Sequence, residues 1–362
     1  MRPFLSVVVP CRNEARFLGR CLDSILAAEY PSGRMEVLVV DGGSTDGTRE
    51  LIRARAAADA RVRLVDNPQG TTPWALNHAI DRAAGDVIAR VDAHAAVSPG
   101  YFALCVDHLA ASGADNVGGA MRTLPRDSGC FAGPIVAALS HPFGVGNSHF
   151  RIGSRIGTTE PRWVDTVFGG CWRREVFARV GRFDTNLRRS QDMEFSLRLK
   201  AAGGRTLLVP EARIDYYARA RMTAFCRHNF ENGEWAILPF AHSAVIPVSL
   251  RHLIPLLFVM ALAAGAALLP WTGWPLAVIA GAYAAANLAA SAGLAARLGR
   301  PSYMVRMPIV FLSLHLGYGA GSVSGLVRLA GHCLKARRGA ALPSRPASSP
   351  AVSKDNPCLP QS

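Results

Sequence analysis

The chain has 362 residues and a formal net charge of +14, from 40 Lys and Arg against 26 Asp and Glu. Half of it is hydrophobic and only 18% is charged, with a mean hydropathy of +0.17; that excludes a polar disordered chain and argues for a membrane portion. No basic stripe interleaved with aromatics is present, so the charge suits anionic lipid surfaces or phosphate-bearing substrates rather than nucleic acid.

The first element is FLSVVVP, β-branched and bounded by Pro10. It is too short for a signal sequence and reads as a buried strand. ARFLGRCLDSIL follows with Phe17, Leu18, Cys21, Leu22 and Ile25 at helical spacing. MEVLVV predicts a second strand ending at Asp41, and GGSTDGT is a turn that can cap the helix TRELIRARAA. VRLVDN and DVIARV predict two more strands around the helix TPWALNHAIDRA, which has Pro73 in its first turn. Strands alternating with helices imply a parallel sheet covered on both faces, with ligands beyond the carboxyl ends of the strands.

Polar residues fall at all four of those ends: CRNE, DGGSTDG, DNPQG and DAH. No GxGxxG and no Walker sequence is present. Asp41 is placed either to accept hydrogen bonds from a nucleotide or to organise a tight turn with Asp46. In RVDAH, alternation along an extended segment points Asp92 and His94 the same way, so two possible metal ligands aim at one point. The alternative is a helix-capping Asp and a surface His.

Further along, DTVFGGCWRREVF carries Gly169 and Gly170, either a close approach of backbone to a sugar or a tight strand–helix loop. RRSQDMEF puts Gln191, Asp192 and Glu194 at a helix start, where acids also cap. His141, His149, His228 and His242 are isolated and read as ordinary surface or core residues. The eight cysteines show no CxxC and read as reduced thiols of a cytosol-facing domain.

Charges nearly vanish from about residue 244 to 329. Apolar stretches at about 253–269, 274–296 and 308–327 are candidate spans of roughly 20 residues, with Trp271 and Trp274 as interfacial anchors. Arg251, Arg297, Arg300 and Arg306 belong inside by the positive-inside rule. Three full spans would put Lys335, Arg337 and Arg338 outside, so two spans plus a third segment in or re-entering the membrane are expected. Beyond about residue 340 the chain is rich in Pro, Ser and Ala and reads as disordered.

Five segments in this order resemble the family 2 glycosyltransferases: SVVVPCRNE, VVDGGSTDGT, ALNHAIDRAAGDVIARVDAH, FGGCWRREVFARVGRFD and RRSQDMEFSLRLKAAGG. RVDAHA and the hydrophobic C-terminal part look most like the subgroup of succinoglycan biosynthesis. The resemblance covers roughly residues 5–210. It implies a GT-A type, mostly parallel α/β sheet with helices on both faces, followed by C-terminal transmembrane helices. The expected domains are 1–217 catalytic, 218–243 juxtamembrane connector, 244–330 transmembrane and 331–362 a basic tail.

For chemistry, the resemblance implies a metal-dependent, inverting transfer of one sugar from a nucleotide-sugar, UDP-linked, to a polyprenyl-diphosphate-linked or other lipid-linked saccharide. The setting it implies is the cytoplasmic membrane, with the catalytic domain on the cytoplasmic side. Pro10, Asn13, Glu14, Asp41, Asn77 and Asp92 would serve the nucleotide-sugar. Asp92 and His94 would hold Mn²⁺ or Mg²⁺; many members have Asp-x-Asp where this chain has Asp92-Ala93-His94. Gly169, Gly170 and Gln191 would lie by the sugars. Asp192 would be the base, within QD where the family usually has ED. RHNFENGEW does not match the QxxRW of processive synthases. Two other readings are a sugar-phosphate nucleotidyltransferase, whose Lys-bearing glycine loop is absent, and a non-catalytic membrane scaffold.

Overall fold

The computed structural model describes residues 2–151, 159–241 and 252–340. His242, the boundary at 244, Arg251, the tail beyond 340 and the side chains of Lys335, Arg337 and Arg338 lie outside the described residues.

The N-terminal half alternates as expected: β1 (Leu5–Cys11), α1 (Ala15–Leu26), β2 (Met35–Asp41), α2 (Thr48–Ala58), β3 (Val62–Asp66), α3 (Thr72–Arg82) and β4 (Val87–Arg90). β2 is buried at every position and β1 at all but one, as a strand covered on both faces must be. β1 pairs in parallel with β2 and β4, and β2 with β3. All four carboxyl ends therefore open on one edge.

Next come β5 (Ala95–Val97), α4 (Tyr101–Ser112), β6 (Asn116–Pro125), α5 (Ala132–Ala138), α6 (Pro142–Val145), β7 (Arg162–Val164), β8 (Cys171–Arg173), α7 (Arg174–Arg179), α8 (Gln191–Ala201) and β9 (Thr206–Ala218). The strand order is β3-β2-β1-β4-β8-β6-β9-β5, with β7 on β9. β8 runs antiparallel between β4 and β6, and β5 and β7 run antiparallel to β9. The sheet is thus parallel in its first half and mixed in its second. Leu18, Leu22 and Phe102 pack on one face, and Leu76, Ile80, Phe177 and Phe195 on the other.

α9 (Met222–Ile237), α10 (Ile254–Ala267), α11 (Trp274–Leu298) and α12 (Tyr303–Ala340) complete the chain. The expected connector is mostly helix. α9 carries Phe225, which packs with Ile135 of α5 and with Leu294, Met307 and Phe311 of α11 and α12, so the sheet domain and the apolar helices share a core. A Cβ on Gly233 would lie 1.9 Å from the Tyr318 carbonyl oxygen, and one on Gly321 would lie 1.9 Å from that of Phe230. α9 and α12 therefore touch backbone to backbone, as helices do where small residues face each other.

The expected two spans plus a third segment become, among the described residues, two long apolar helices and a shorter one, and the shorter one comes first rather than last. The last segment is one continuous helix, because its glycines and serines are packing surfaces rather than breaks. The first segment, α10, has only 14 residues. Among the described residues two helices, Trp274–Leu298 and Tyr303–Gly331, are long and apolar enough to cross a membrane. Their outward faces are apolar: Val278 is 59% exposed, Val305 70% and Val327 68%. Trp271 and Trp274 are exposed beside them, at the start of α11. Such a surface on a monomer marks a membrane or a partner.

Candidate active site

The loops after β1 and β2 are zipped together by side chains. The Asn13 amide donates to the Ser44 hydroxyl at 2.9 Å, and the Thr45 amide donates to Asn13 Oδ1 at 2.9 Å. The Glu14 amide donates to the Thr48 hydroxyl oxygen at 2.9 Å, and the Ala15 amide to Asp46 Oδ2 at 3.1 Å. Asn13 adopts φ 56°, and Ser190, beside Gln191 and Asp192, adopts φ 60°. They are the two non-glycine residues with positive φ among those described; Ser190 lines the larger of the two cavities that meet at Asp92 and His94, and Asn13 lies between Arg12 and Glu14, which line the smaller one. Such strain persists only where the surroundings enforce it.

Asp41 is covered completely. Its carboxylate accepts from the Ser44 hydroxyl at 2.5 Å and from Arg49 Nη1 at 3.2 Å. Asn77 is likewise engaged within the protein: its amide donates to the Phe183 carbonyl at 2.9 Å and accepts from the Phe183 amide at 3.0 Å. Both residues brace loops behind the cleft. Gly169 and Gly170, at φ 69° and 110°, brace β4 instead. A Cβ on Gly169 would lie 2.6 Å from the Arg90 carbonyl oxygen, and the Arg90 amide donates to the Gly170 carbonyl at 2.9 Å. The close approach these glycines permit is to the end of β4.

At that end, Arg90 is 6% exposed and lies between two carboxylates. Its Nε donates to Asp92 Oδ1 at 2.9 Å and its Nη1 donates to Asp192 Oδ1. Burial opposes the guanidinium charge, but Asp192 and Asp92 more than restore it and hold its pKa above the usual range. Desolvation in the cleft raises the Asp192 carboxyl above the ordinary carboxylate range; Arg90 pulls it down and Asp92 pushes it up. The Asp192 side chain is nonetheless 43% exposed, so water and a substrate hydroxyl can reach it. Gln191 is 7% exposed and its Oε1 is buried without a hydrogen-bond partner.

His94 Nδ1 stands 3.1 Å from Glu14 Oε1. Burial opposes the charge of Glu14, yet His94 and Arg126 hold its carboxyl below the usual range. A carboxylate at one ring nitrogen is what orients a metal-binding histidine and leaves the other nitrogen for the ion. Asp92 supplies a hard oxygen from the same cleft. Among the described residues no group of three or more His, Cys, Asp or Glu could hold an ion. The pair fits a site that substrate oxygens and water complete, rather than a closed protein cage. The thiol of Cys11 is pushed up to about 12 by burial and by Asp41, Glu14 and Asp46, which leaves it neutral and unsuited to attack.

Two cavities meet at Asp92 and His94. A small one, about 190 Å³, lies at the strand ends and is lined by Pro10, Arg12, Glu14, Asn67 and Thr71. A larger one, about 610 Å³, passes Gln191, Asp192 and Tyr216 and reaches Pro255, Leu314 and Tyr318 of the apolar helices. A third, about 510 Å³, lies around Trp163 and Met193 and does not reach Asp92.

Sequence reasoning missed Arg90, which ends β4 two residues before Asp92. It also missed what α9 does. Arg189, next to Ser190, is held by Glu231, by Asn232 Oδ1 at 2.9 Å and by His228 Nδ1 at 3.2 Å, and the Ser190 hydroxyl donates to the Trp235 carbonyl at 2.9 Å. RHNFENGEW is thus the clamp on the loop that carries Gln191 and Asp192. No local signal announces this, since the partners are about forty positions apart.

Residues 6–133 match the family description "Glycosyl transferase family 2". The chain is 31% identical over 317 residues to the succinoglycan biosynthesis protein ExoA of Rhizobium meliloti, covering 87% of this chain and 92% of that one. It is 23% identical over 238 residues to a dolichyl N-acetyl-alpha-D-glucosaminyl phosphate 3-beta-D-2,3-diacetamido-2,3-dideoxy-beta-D-glucuronosyltransferase of Methanococcus voltae, covering 64% and 72%. In fold it is similar to a mannosyltransferase of Pyrobaculum calidifontis solved with GDP-Man and Mn²⁺, with a TM-score of 0.55, 24% identity, and coverage of 90% of this chain and 88% of that one.

Proposed function

The chain belongs to glycosyl transferase family 2, and from that premise we propose that it moves one sugar from a nucleotide-sugar, UDP-linked, to a lipid-linked saccharide in exopolysaccharide or cell-surface glycan synthesis. The observation that carries this reading is the meeting of two cavities at Asp92 and His94. One is closed in by the strand-end loops and the other runs to the apolar helices. A transferase needs two compartments sharing one reacting point, and a sugar attached to a lipid needs the second to face a membrane.

Asp192 receives the proton of the acceptor hydroxyl, as a positioned base in a single displacement that inverts the anomeric carbon. Arg90 fixes the separation of Asp192 and Asp92 by holding both. Glu14 orients His94. A divalent cation, Mn²⁺ or Mg²⁺, held by Asp92 and His94 would offset the charge that develops on the departing diphosphate. The Pyrobaculum calidifontis mannosyltransferase of similar fold was solved in complex with GDP-Man and Mn²⁺, which supports a cation here. The two long apolar helices anchor the chain in the cytoplasmic membrane, with the sheet domain on the cytoplasmic side.

Purified full-length protein should hydrolyse its nucleotide-sugar slowly in the absence of acceptor and stop when the cation is chelated. A protein that hydrolyses none of a panel of nucleotide-sugars with Mn²⁺ or Mg²⁺ would be a scaffold rather than an enzyme.

A further inference from the structure

The larger cavity has a wall that the transfer chemistry does not use. It is lined by Arg151, Arg188, Arg189 and Arg219, besides Arg126, which pairs with Glu14, while Asp92 and Asp192 are its only lining carboxylates among the described residues. Arg189 is compensated by Glu231. Neither Arg188 nor Arg219 makes an ion pair among the described residues, although both are exposed to the cleft. Their neighbourhood is built to stay cationic. His228, inside the same cavity, is driven down to about 3 by burial and by Arg189, Arg219 and Arg151, so it adds no further charge and presents a neutral ring. Guanidiniums gathered in a cavity repel one another, and the arrangement is favourable only with an anion among them. Planar forks of this kind match phosphate oxygens in pairs.

We propose that Arg188 and Arg219, supported by Arg151 and Arg189, bind the phosphate or diphosphate of the lipid-linked acceptor. This rests on the transferase reading above. The company these arginines keep carries it: one cavity is lined by the base Asp192, by the arginines and by Pro255, Leu314 and Tyr318 of the apolar helices. A lipid-linked saccharide presents those same three chemistries, as hydroxyl, anion and hydrocarbon. The unpartnered, buried Oε1 of Gln191 is an acceptor atom beside the base, suited to a neighbouring sugar hydroxyl. The donor's diphosphate belongs with the cation ligands Asp92 and His94, which also line the small cavity.

The test is binding, which needs no turnover. Full-length protein in phosphatidylcholine nanodiscs would be titrated with decyl diphosphate, with neutral decyl glucoside, and separately with UDP plus Mn²⁺. Wild type should bind decyl diphosphate at least tenfold more tightly than decyl glucoside. Arg188→Gln and Arg219→Gln should each weaken decyl diphosphate about tenfold while leaving UDP affinity unchanged, and Arg219→Lys should recover part of the loss. Both residues are exposed, so the variants should fold. Equal binding of the two decyl compounds, or no loss in the double variant, would overturn the proposal. An equal loss of UDP affinity would assign the arginines to the donor and overturn it too, as would displacement of decyl diphosphate by phosphatidylglycerol at equal concentration. If wild type binds decyl diphosphate as expected but hydrolyses no nucleotide-sugar, the transferase reading fails and the anion site stands.

Discussion

Gly321 offers a test of whether the apolar helices hold the catalytic loop in place. A Cβ added there would lie 1.9 Å from the Phe230 carbonyl oxygen and 3.0 Å from the Glu234 nitrogen, whereas real Cβ contacts essentially never fall below 3.0 Å. Gly321→Ala must therefore drive α9 from α12 by roughly 1 Å, because a close-packed backbone cannot yield as a side chain would. Removing a helical glycine favours the helix by about 0.5–1 kcal/mol. Overpacking costs about 1–3 kcal/mol, so the net effect is destabilising. The larger effect falls on activity. α9 meets α12 through Phe230, Gly233 and Glu234, and grips the catalytic loop with the other side, through His228, Glu231, Asn232 and Trp235. A 1 Å misplacement of a reacting group costs on the order of 100-fold. Gly321→Ala should thus lower sugar-transfer turnover about that much. UDP affinity should hold, because the side-chain bonds that fix the loops after β1 and β2 run between those loops and not to α9. Gly281 on α11 has nothing within 4 Å of its added Cβ, and Gly281→Ala should leave both quantities unchanged. Steady-state kinetics and nucleotide titration on the three proteins would decide it. Wild-type turnover in Gly321→Ala, or an equal loss of donor affinity, would refute the reasoning.

Asp192→Asn keeps an oxygen for Arg90 but removes the proton acceptor, so turnover should fall about 10²- to 10⁴-fold with the donor KM nearly unchanged. Only the ionised carboxylate can take the proton, and its pKa is raised, so the acid limb of the rate should lie above the ordinary Asp value of about 3.9; a pH–rate profile flat through that region would contradict the assignment. Asp92→Ala should abolish Mn²⁺-dependent nucleotide binding, and His94→Ala should weaken it; unchanged calorimetric affinity in both would remove the cation from the site. Glu14→Gln should weaken Mn²⁺ in the same assay about 10- to 100-fold, as loss of an orienting partner does, and no change would deny Glu14 that role.

The sequence disclosed the first half of the fold because its strands are continuous apolar runs and its helices carry a clear apolar stripe. α1 begins and ends where the spacing of Phe17, Leu18, Cys21, Leu22 and Ile25 says it should. β6 and β9 were hidden for opposite reasons. β6 contains Gly118 and Gly119, which look like a loop, yet a Cβ on Gly119 would lie 1.6 Å from the Ala212 carbonyl oxygen. β9 contains Pro210, which looks like a strand end, yet the register with β6 jumps from Val209 to Arg213 opposite Gly119 and Ala120. A bulge in one strand is met by a missing side chain in the other.

Within the site, Asp92 and His94 follow β4 as expected but not by strand alternation: Ala93 and His94 lie in a turn in which the Ala95 amide donates to the Asp92 carbonyl at 2.8 Å; Asp192 stands at the start of α8. Asp41 and Asn77 sit in the expected segments, but their side chains turn to Arg49 and Phe183. The arginine wall was not legible, because Arg151, Arg188 and Arg219 come from three separate segments that only the folded chain assembles.

The central claim is an inverting transfer from nucleotide-sugar to lipid at Asp92, His94 and Asp192. Its most direct test is the product. Purified full-length protein would be incubated with a panel of radiolabelled α-linked nucleotide-sugars, Mn²⁺ and a lipid extract, and the anomeric configuration of the lipid-extractable product would be read by NMR. One labelled lipid should form, β-linked, from one donor, and it should disappear on chelation and in Asp192→Asn. An α-linked product, or transfer that persists in Asp192→Asn, would contradict it.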